Sequence, residues 1–317
     1  MKIYAIIVTY NAMRRNWIDH CLRSLEDSTT PIIPIVIDNG STDETCTYVP
    51  HNFPNAIWLP QKMNLGFGQA NNVGIKYALD HDADYILLLN QDAILAANAV
   101  EEMLPYADDN SLVSPLHLSG DGNKLDYQFK KCLSKSDDSL LDDLLVAKKQ
   151  KAYYSGPTRE SGCVIPAACW FMSIGVIKTI GGFNPLFFHY SEDDNYIQRL
   201  FYHHIEVKIC PKATMRHDRG EHGNVEVFYR SHCHRMLLKT AVDINLSFTQ
   251  CMVRWLRLLK DCYATNLPQH HYHIGEYLKG VLWLIINTRK ILLSREKEKK
   301  PGTTWISATP HTLHTPV

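Results

Sequence analysis

The chain has 317 residues, 45% hydrophobic and 21% charged, with 33 basic and 33 acidic side chains. That length holds one large α/β domain with an appendage, or two modest domains. The zero net charge excludes a general nucleic-acid binder, which carries a basic excess.

Residues 3–8 read as a first strand with Thr9-Tyr10-Asn11 at its carboxyl end, and residues 17–25 as a helix. Residues 32–37 form a second strand running into Asp38-Asn39-Gly40-Ser41-Thr42-Asp43, and 56–59 a short third. The loop Asn64-Leu65-Gly66-Phe67-Gly68 leads to a helix over 69–79. Residues 85–89 are an unbroken apolar or aromatic run, which reads as a strand covered on both faces, as in a parallel sheet. It stops abruptly at Asn90-Gln91-Asp92. The alternation predicts an α/β fold with a parallel sheet and right-handed crossovers. Polar clusters fall at three strand carboxyl ends, where open sheets bind ligands.

Residues 119–151 are rich in charge and poor in strand signals, which predicts an excursion from the sheet, partly helical over 140–146. Residues 161–177 return to apolar character, and 181–185 form a turn. His189-Tyr190-Ser191-Glu192-Asp193-Asp194-Asn195 is an acidic segment leading into a helix through Arg199. Two short strands follow, over 207–210 and 213–217. Beyond about residue 225 the pattern is helical; a helix spans 274–293 with a basic end, and 301–317 read as a frayed tail.

No apolar run is long enough to cross a membrane, the nearest being 281–286. The nine cysteines are scattered with no Cys-x-x-Cys pair, and no signal segment precedes the first strand, so a reduced, cytoplasmic protein is the simplest reading. His232-Cys233-His234 and His270-His271-Tyr272-His273 lack the paired ligand spacing of a zinc site.

Asp92 has two readings: cap of a helix beginning near Ala93, or a carboxylate holding a hard cation that holds phosphates. Asp38 is a turn former or a ligand group. Glu192 and Asp193 fit an acidic first turn favoured by the helix dipole.

In that order, Ile7-Val8-Thr9-Tyr10-Asn11, Ile37-Asp38-Asn39-Gly40-Ser41-Thr42-Asp43, Asn64-Leu65-Gly66-Phe67-Gly68 with Asn71-Asn72, Leu89-Asn90-Gln91-Asp92, Gly181-Gly182-Phe183-Asn184, Phe188-His189-Tyr190-Ser191-Glu192-Asp193 and His217 resemble a family 2 glycosyltransferase of the GT-A fold. The likeness is greatest to the bacterial rhamnosyltransferase-like branch and covers about residues 1–225, with 226–300 as a helical C-terminal extension and 301–317 as a flexible tail. The resemblance implies a mostly parallel, Rossmann-like sheet flanked by helices. It implies transfer of rhamnose or another hexose, with inversion, from a dTDP- or UDP-sugar to a hydroxyl of a surface glycan or lipid-linked oligosaccharide.

By the same resemblance Thr9, Tyr10, Asn11, Asp38, Asn64, Gly66, Asn72, Asn90 and Gln91 bind the donor. Asp38 would accept from the imide N–H of a uracil or thymine ring, a donor that cytosine lacks. Asn90-Gln91-Asp92 stands where the family has Asp-x-Asp, so Asp92 with His217 would hold Mg²⁺ or Mn²⁺ on the diphosphate. Asp193 maps to the base, with Glu192 beside it, and Asn195 stands where an acid is usual. Trp170 lies in the segment facing the sugars, although a core role fits it equally, and Arg216, Arg219 and Arg230 are candidates for phosphate contact. Three readings stay open for the helical extension: packing on the catalytic domain, homodimerisation, or contact with an anionic membrane surface. The competing reading is a non-catalytic nucleotide-sugar binder or assembly protein, favoured by the amides at Asn90 and Asn195.

Overall fold

The computed structural model describes residues 1–133, 153–154, 164–219, 232–264 and 274–306. Its strands are β1 (Ile3–Thr9), β2 (Ile33–Asp38), β3 (Ile57–Trp58), β4 (Tyr85–Leu89), β5 (Ala93–Leu95), β6 (Ser111–Ser119), β7 (Tyr153–Tyr154), β8 (Cys169–Ser173) and β9 (Glu206–His217). Its helices are α1 (Trp17–Glu26), α2 (Thr45–Asn52), α3 (Phe67–Asp80), α4 (Ala99–Met103), α5 (Tyr127–Leu133), α6 (Ile174–Ile180), α7 (Glu192–Tyr202), α8 (His232–Val242), α9 (Phe248–Ala264), α10 (Ile274–Ile286) and α11 (Thr288–Glu298).

Among the described residues nine strands form one sheet in the order β3-β2-β1-β4-β8-β6-β9-β5, with β7 on β9. The expected parallel sheet is the β3-β2-β1-β4 half. From β8 onward the pairing is mixed: β8 runs antiparallel to β4 and β6, β9 parallel to β6, and β5 antiparallel to β9. Period-two alternation distributes the apolar strands between two cores. Tyr4, Ile6, Ile35, Ile37, Ile86 and Leu88 pack on one face. Ile3, Ala5, Ile7, Val36, Leu87 and Leu89 pack on the other. Hence β4 is apolar throughout, as a strand buried on both faces must be.

Four local expectations change. Ala93 opens β5 rather than a helix, and the next helix begins at Ala99, so Asp92 has no helix to cap. Residues 207–217 are one strand, because β6 pairs along its length through an irregularity between Pro115 and Leu116. The helix expected over 274–293 is two, divided at Asn287 (φ −99°, ψ 13°). Finally, 301–306 are fastened to the catalytic part rather than frayed: Gly302 N–H donates to Thr179 O at 2.9 Å and Gly182 N–H to Thr304 O at 2.8 Å. The helix expected over 140–146, the cluster at 270–273, and residues 307–317 lie outside the described residues.

The extension has its own apolar core, including Leu237, Leu238, Leu258, Tyr277, Leu284 and Ile291. Phe187, from the loop before α7, is buried in that core and joins it to the catalytic part.

Candidate active site

The carboxyl ends of β1 and β2 meet in register at Thr9 and Asp38. Thr9 Oγ1 donates to Asp38 Oδ1 at 3.3 Å, and Ser41 N–H donates to Asp38 Oδ2 at 3.3 Å. Both side chains are buried, so the carboxylate is oriented before any ligand arrives. Tyr10 is 46% exposed beside them. Its backbone N–H donates to Gln91 Oε1 at 2.8 Å, and Gln91 Nε2 donates to Tyr10 O at 3.4 Å. Gln91 therefore straps the turn after β4 to the turn after β1. Asn11 takes positive φ (50°), which Asn tolerates, and its Oδ1 accepts from Thr42 N–H at 2.8 Å.

Asn64 and Gly66 shape the loop before α3. Asn64 Oδ1 accepts from Asn39 Nδ2 at 3.0 Å and from Gly66 N–H at 2.8 Å. Gly66 has φ +80°, and a Cβ there would overlap the carbonyl oxygen of Phe188. That carbonyl accepts from Phe67 N–H at 3.2 Å. The glycine thus serves a close approach of two chain segments.

At the end of β4 the chain turns so that Asp92 meets His217 at the end of β9. Asp92 Oδ1 lies 3.2 Å from His217 Nε2, and Asn90 Nδ2 lies 3.5 Å from the same nitrogen. Ala93 and His217 are register partners, which fixes the meeting. Asp218 N–H donates to Asp92 O at 2.9 Å, and the Asp218 carboxylate accepts from Arg15 Nη1 at 3.1 Å and Trp17 Nε1 at 3.2 Å. Asn90 Oδ1 and His217 Nδ1 are buried with no hydrogen-bond partner among the described residues. One carboxylate, one imidazole and one orphan amide oxygen suit a cation that takes its remaining ligands from phosphates and water, as Mg²⁺ does. Among the described residues no group of three His, Cys, Asp or Glu side chains could hold a metal alone.

The acidic turn opens α7. Tyr190 and Ser191 both adopt φ 69°, a left-handed conformation costing roughly 1–2 kcal/mol per non-glycine residue. The Arg235 guanidinium, from α8, sits 5.0 Å from the Tyr190 ring centre. Burial, with the Asp193 and Asp194 charges added, holds the Glu192 carboxyl well above the usual range. Burial also pushes Asp193 up to about 6, with the Asp194 charge adding to the rise. Hydrogen bonds from the Asp194 and Ala167 backbones and the Lys239 charge act against it. Lys239 Nζ lies 3.0 Å from Asp194 Oδ1. Ala168 O accepts from Asn90 N–H at 2.9 Å. Ala167, whose backbone acts on the Asp193 carboxyl, therefore directly precedes the residue that holds the turn after β4.

Several expected site residues have other work. Trp170 is 0% exposed and stacks on Phe183 at 6.2 Å, so it is a core side chain rather than a sugar platform. Strand β8 directs it inward beside Ile86 and Leu88. Asn72 is engaged by the Phe183 backbone: its Oδ1 accepts from Phe183 N–H at 2.7 Å and its Nδ2 donates to Phe183 O at 2.8 Å. Arg219 grips Asp126 with two bonds, at 2.8 and 3.1 Å. Arg230 lies outside the described residues. Arg235, Lys239 and Glu298 carry no signal in the sequence, because each sits in an ordinary charged helical stretch.

The sequence model of the family described as "Glycosyl transferase family 2" matches residues 4–176, more than half of the chain. The chain is 24% identical over 297 residues to the dTDP-rhamnosyl transferase RfbF of Shigella flexneri, covering 88% of this chain and 95% of that one. It is 36% identical over 111 residues to the O-antigen chain rhamnosyltransferase RfbN of Salmonella typhimurium, 34% of each chain. Its fold matches S. aureus TarS 1-349 in complex with UDP, with TM-score 0.56 and 14% identity over 94% of this chain and 90% of that one. It also matches GalNAc-T7 with UDP, GalNAc and Mn²⁺, with TM-score 0.56 and 13% identity over 96% and 56% of the two chains. With its GT-A fold, this chain belongs to glycosyl transferase family 2, and is of the rhamnosyltransferase-like kind.

Proposed function

We propose that the protein transfers rhamnose or another hexose, with inversion, from a dTDP- or UDP-sugar to a hydroxyl of a bacterial surface glycan carried on a lipid, at the cytoplasmic face of the membrane. The observation that carries this reading is the meeting of Asp92 and His217, 3.2 Å apart, beside the buried Asn90 Oδ1 at the strand ends. A base must reach the acceptor hydroxyl on the side opposite the leaving diphosphate. A carboxyl raised to about 6 is ionised at neutral pH yet basic enough to take that proton. Asp38, preset by Thr9 and Ser41, would accept the imide N–H of the pyrimidine. Asp92, His217 and Asn90 Oδ1 would hold Mg²⁺ or Mn²⁺, which when bound offsets charge on the departing diphosphate.

A thermal-shift panel of dTDP- and UDP-sugars with Mg²⁺ or Mn²⁺ tests the donor, since a ligand that binds the folded state raises its melting temperature. Asp193→Asn should lower turnover by roughly 10²–10⁴-fold with donor affinity unchanged. Wild-type turnover in that variant rejects the base, and a donor that binds without any transfer favours the non-catalytic binder.

The same reading extends to the membrane. Helix α10 is apolar nearly all round, but only one face, with Tyr277, Gly280 and Leu284, is buried. Leu278, Leu282, Ile285 and Ile286 form an exposed stripe, with Ile286 72% exposed. Phe248 and Leu256 of α9 are also exposed, as are the basic Arg257, Lys260, Lys279, Arg289 and Lys290. An apolar stripe among basic residues suits an anionic bilayer. A two-fold contact with a second copy would set those basic residues against their own copies. Full-length protein should sediment with vesicles containing phosphatidylglycerol, and Leu282→Glu with Ile286→Glu should abolish that. Equal partitioning of the variant, or a wild-type dimer by light scattering that the substitutions dissolve, rejects the membrane contact. Among the described residues no helix is long and apolar enough to cross a membrane.

A further inference from the structure

Glu298, the last residue of α11, is 2% exposed and far from the acidic turn in sequence. Its Oε1 accepts from Asn184 Nδ2 at 2.7 Å and from Trp305 Nε1 at 3.2 Å. Its Oε2 accepts from Asn195 Nδ2 at 3.4 Å, and Arg199 Nε lies 3.7 Å from Oε1. The Arg199 guanidinium is equally buried and spends its other nitrogens on Ile180 O at 2.9 Å and Gly182 O at 2.6 Å. Asn195 and Arg199 are four residues apart on α7, hence on one face of that helix. Asp193, two residues before Asn195, is about 200° further round. Gripping one face of α7 at two points fixes the rotation of the helix, and with it the direction of Asp193.

We propose that Glu298 is a positioning residue for Asp193: the extension supplies, from α11, the carboxylate that fixes the rotation of the helix carrying the base. A buried carboxylate is costly unless its partners are complete, so its presence at the junction is not incidental to packing. Glu298 faces Asn195 at the position where the resemblance leads one to expect an acid. The acid is present, but it comes from the other end of the chain and faces the helix from outside. The inference rests on Asp193 being the base only for its effect on turnover; the effect on the carboxyl itself is independent.

The groups that set the Asp193 charge state are Asp194 and Glu192 on α7, and Lys239 and Arg235 on α8. None of them is altered by changing Glu298. If α7 turns, Asp193 loses the Ala167 bond that favours its ionised form, and its pKa rises. The experiment uses full-length protein labelled with ¹³C at aspartate carboxyls, with the Asp193 resonance assigned by its loss in Asp193→Asn. Glu298→Gln keeps the volume and removes the carboxylate that faces the Arg199 guanidinium. It should raise the Asp193 midpoint by about one pH unit, the size of one hydrogen bond to a charged group. It should also lower kcat by roughly 10- to 100-fold, the effect of a small misplacement of a reacting group. Asn195→Ala, which cuts the grip from the helix side and leaves the Arg199–Glu298 pair, should move the midpoint the same way by less. Should Glu298→Gln fail to fold, Asn195→Ala decides alone. An unmoved Asp193 midpoint in a folded variant overturns the proposal, because a purely structural role would lower the melting temperature without touching that midpoint. Turnover surviving in Asp193→Asn overturns the base instead, and leaves the titration result standing.

Discussion

The two halves of the site are held in opposite ways. At the ends of β1 and β2 the groups fasten one another over short spatial range: Thr9 on Asp38, Asn11 on Thr42, and Asn39 on Asn64. Around the start of α7 the bracing comes from α8, α11 and the segment after it: Lys239 on Asp194, Arg235 over Tyr190, Glu298 on Asn195 and Thr304 on Gly182. A pocket for a flat, largely preformed ligand tolerates local bracing. A base that must sit within hydrogen-bond reach of a reacting hydroxyl needs its whole helix fixed, and a helix is fixed only by what packs on its faces.

Arg199→Met tests the second arrangement most severely. It leaves Glu298 buried without its cation, and should lower unfolding stability by about 3–5 kcal/mol, read by denaturant titration. Gly66→Ala acts where the two halves touch. The new Cβ meets the Phe188 carbonyl at a positive φ, so a loss of about 3 kcal/mol is expected, with weaker donor affinity by calorimetry. Unchanged stability there would mean that the loop moves independently of α7.

Asp193→Asn should stabilise the fold at neutral pH by about 1–3 kcal/mol. Its folded pKa, about 6, lies above the unfolded value of 3.8. The folded state therefore holds the proton more tightly, and the stability this contributes is full below 3.8 and lost as pH rises through 6. Turnover should run the other way, rising with pH through about 6 as the base ionises. Melting curves and rates measured from pH 4.5 to 8 would show the two opposed slopes; parallel slopes would count against Asp193 as the titrating group. The smallest effect belongs to the first region. Asn11→Ala should cost about 1 kcal/mol, from one lost hydrogen bond and a less tolerant left-handed residue, with the Asp193 midpoint unchanged.

The legibility of the fold follows the same division. The apolar run of β4 and the polar clusters after β1, β2 and β4 are periodic or local signals, and they appear where the sequence predicted them. Misreadings came where pairing partners decide. Residues 93–95 joined β9 as a strand, and Trp170 and Asn72 took roles in packing that motif spacing alone does not distinguish from ligand contact.

The sequence by itself determined the parallel half of the sheet, the family, and the order of the motifs, because hydrophobic period and turn chemistry are written in consecutive residues. Only the tertiary structure decided that Trp170 packs in the core and that the carboxylate facing Asn195 is Glu298. In the sequence Glu298 stands among Arg295, Glu296, Lys297, Lys299 and Lys300, where nothing separates it from solvated charge. Burial separates it, and burial depends on how α11 lies against α7.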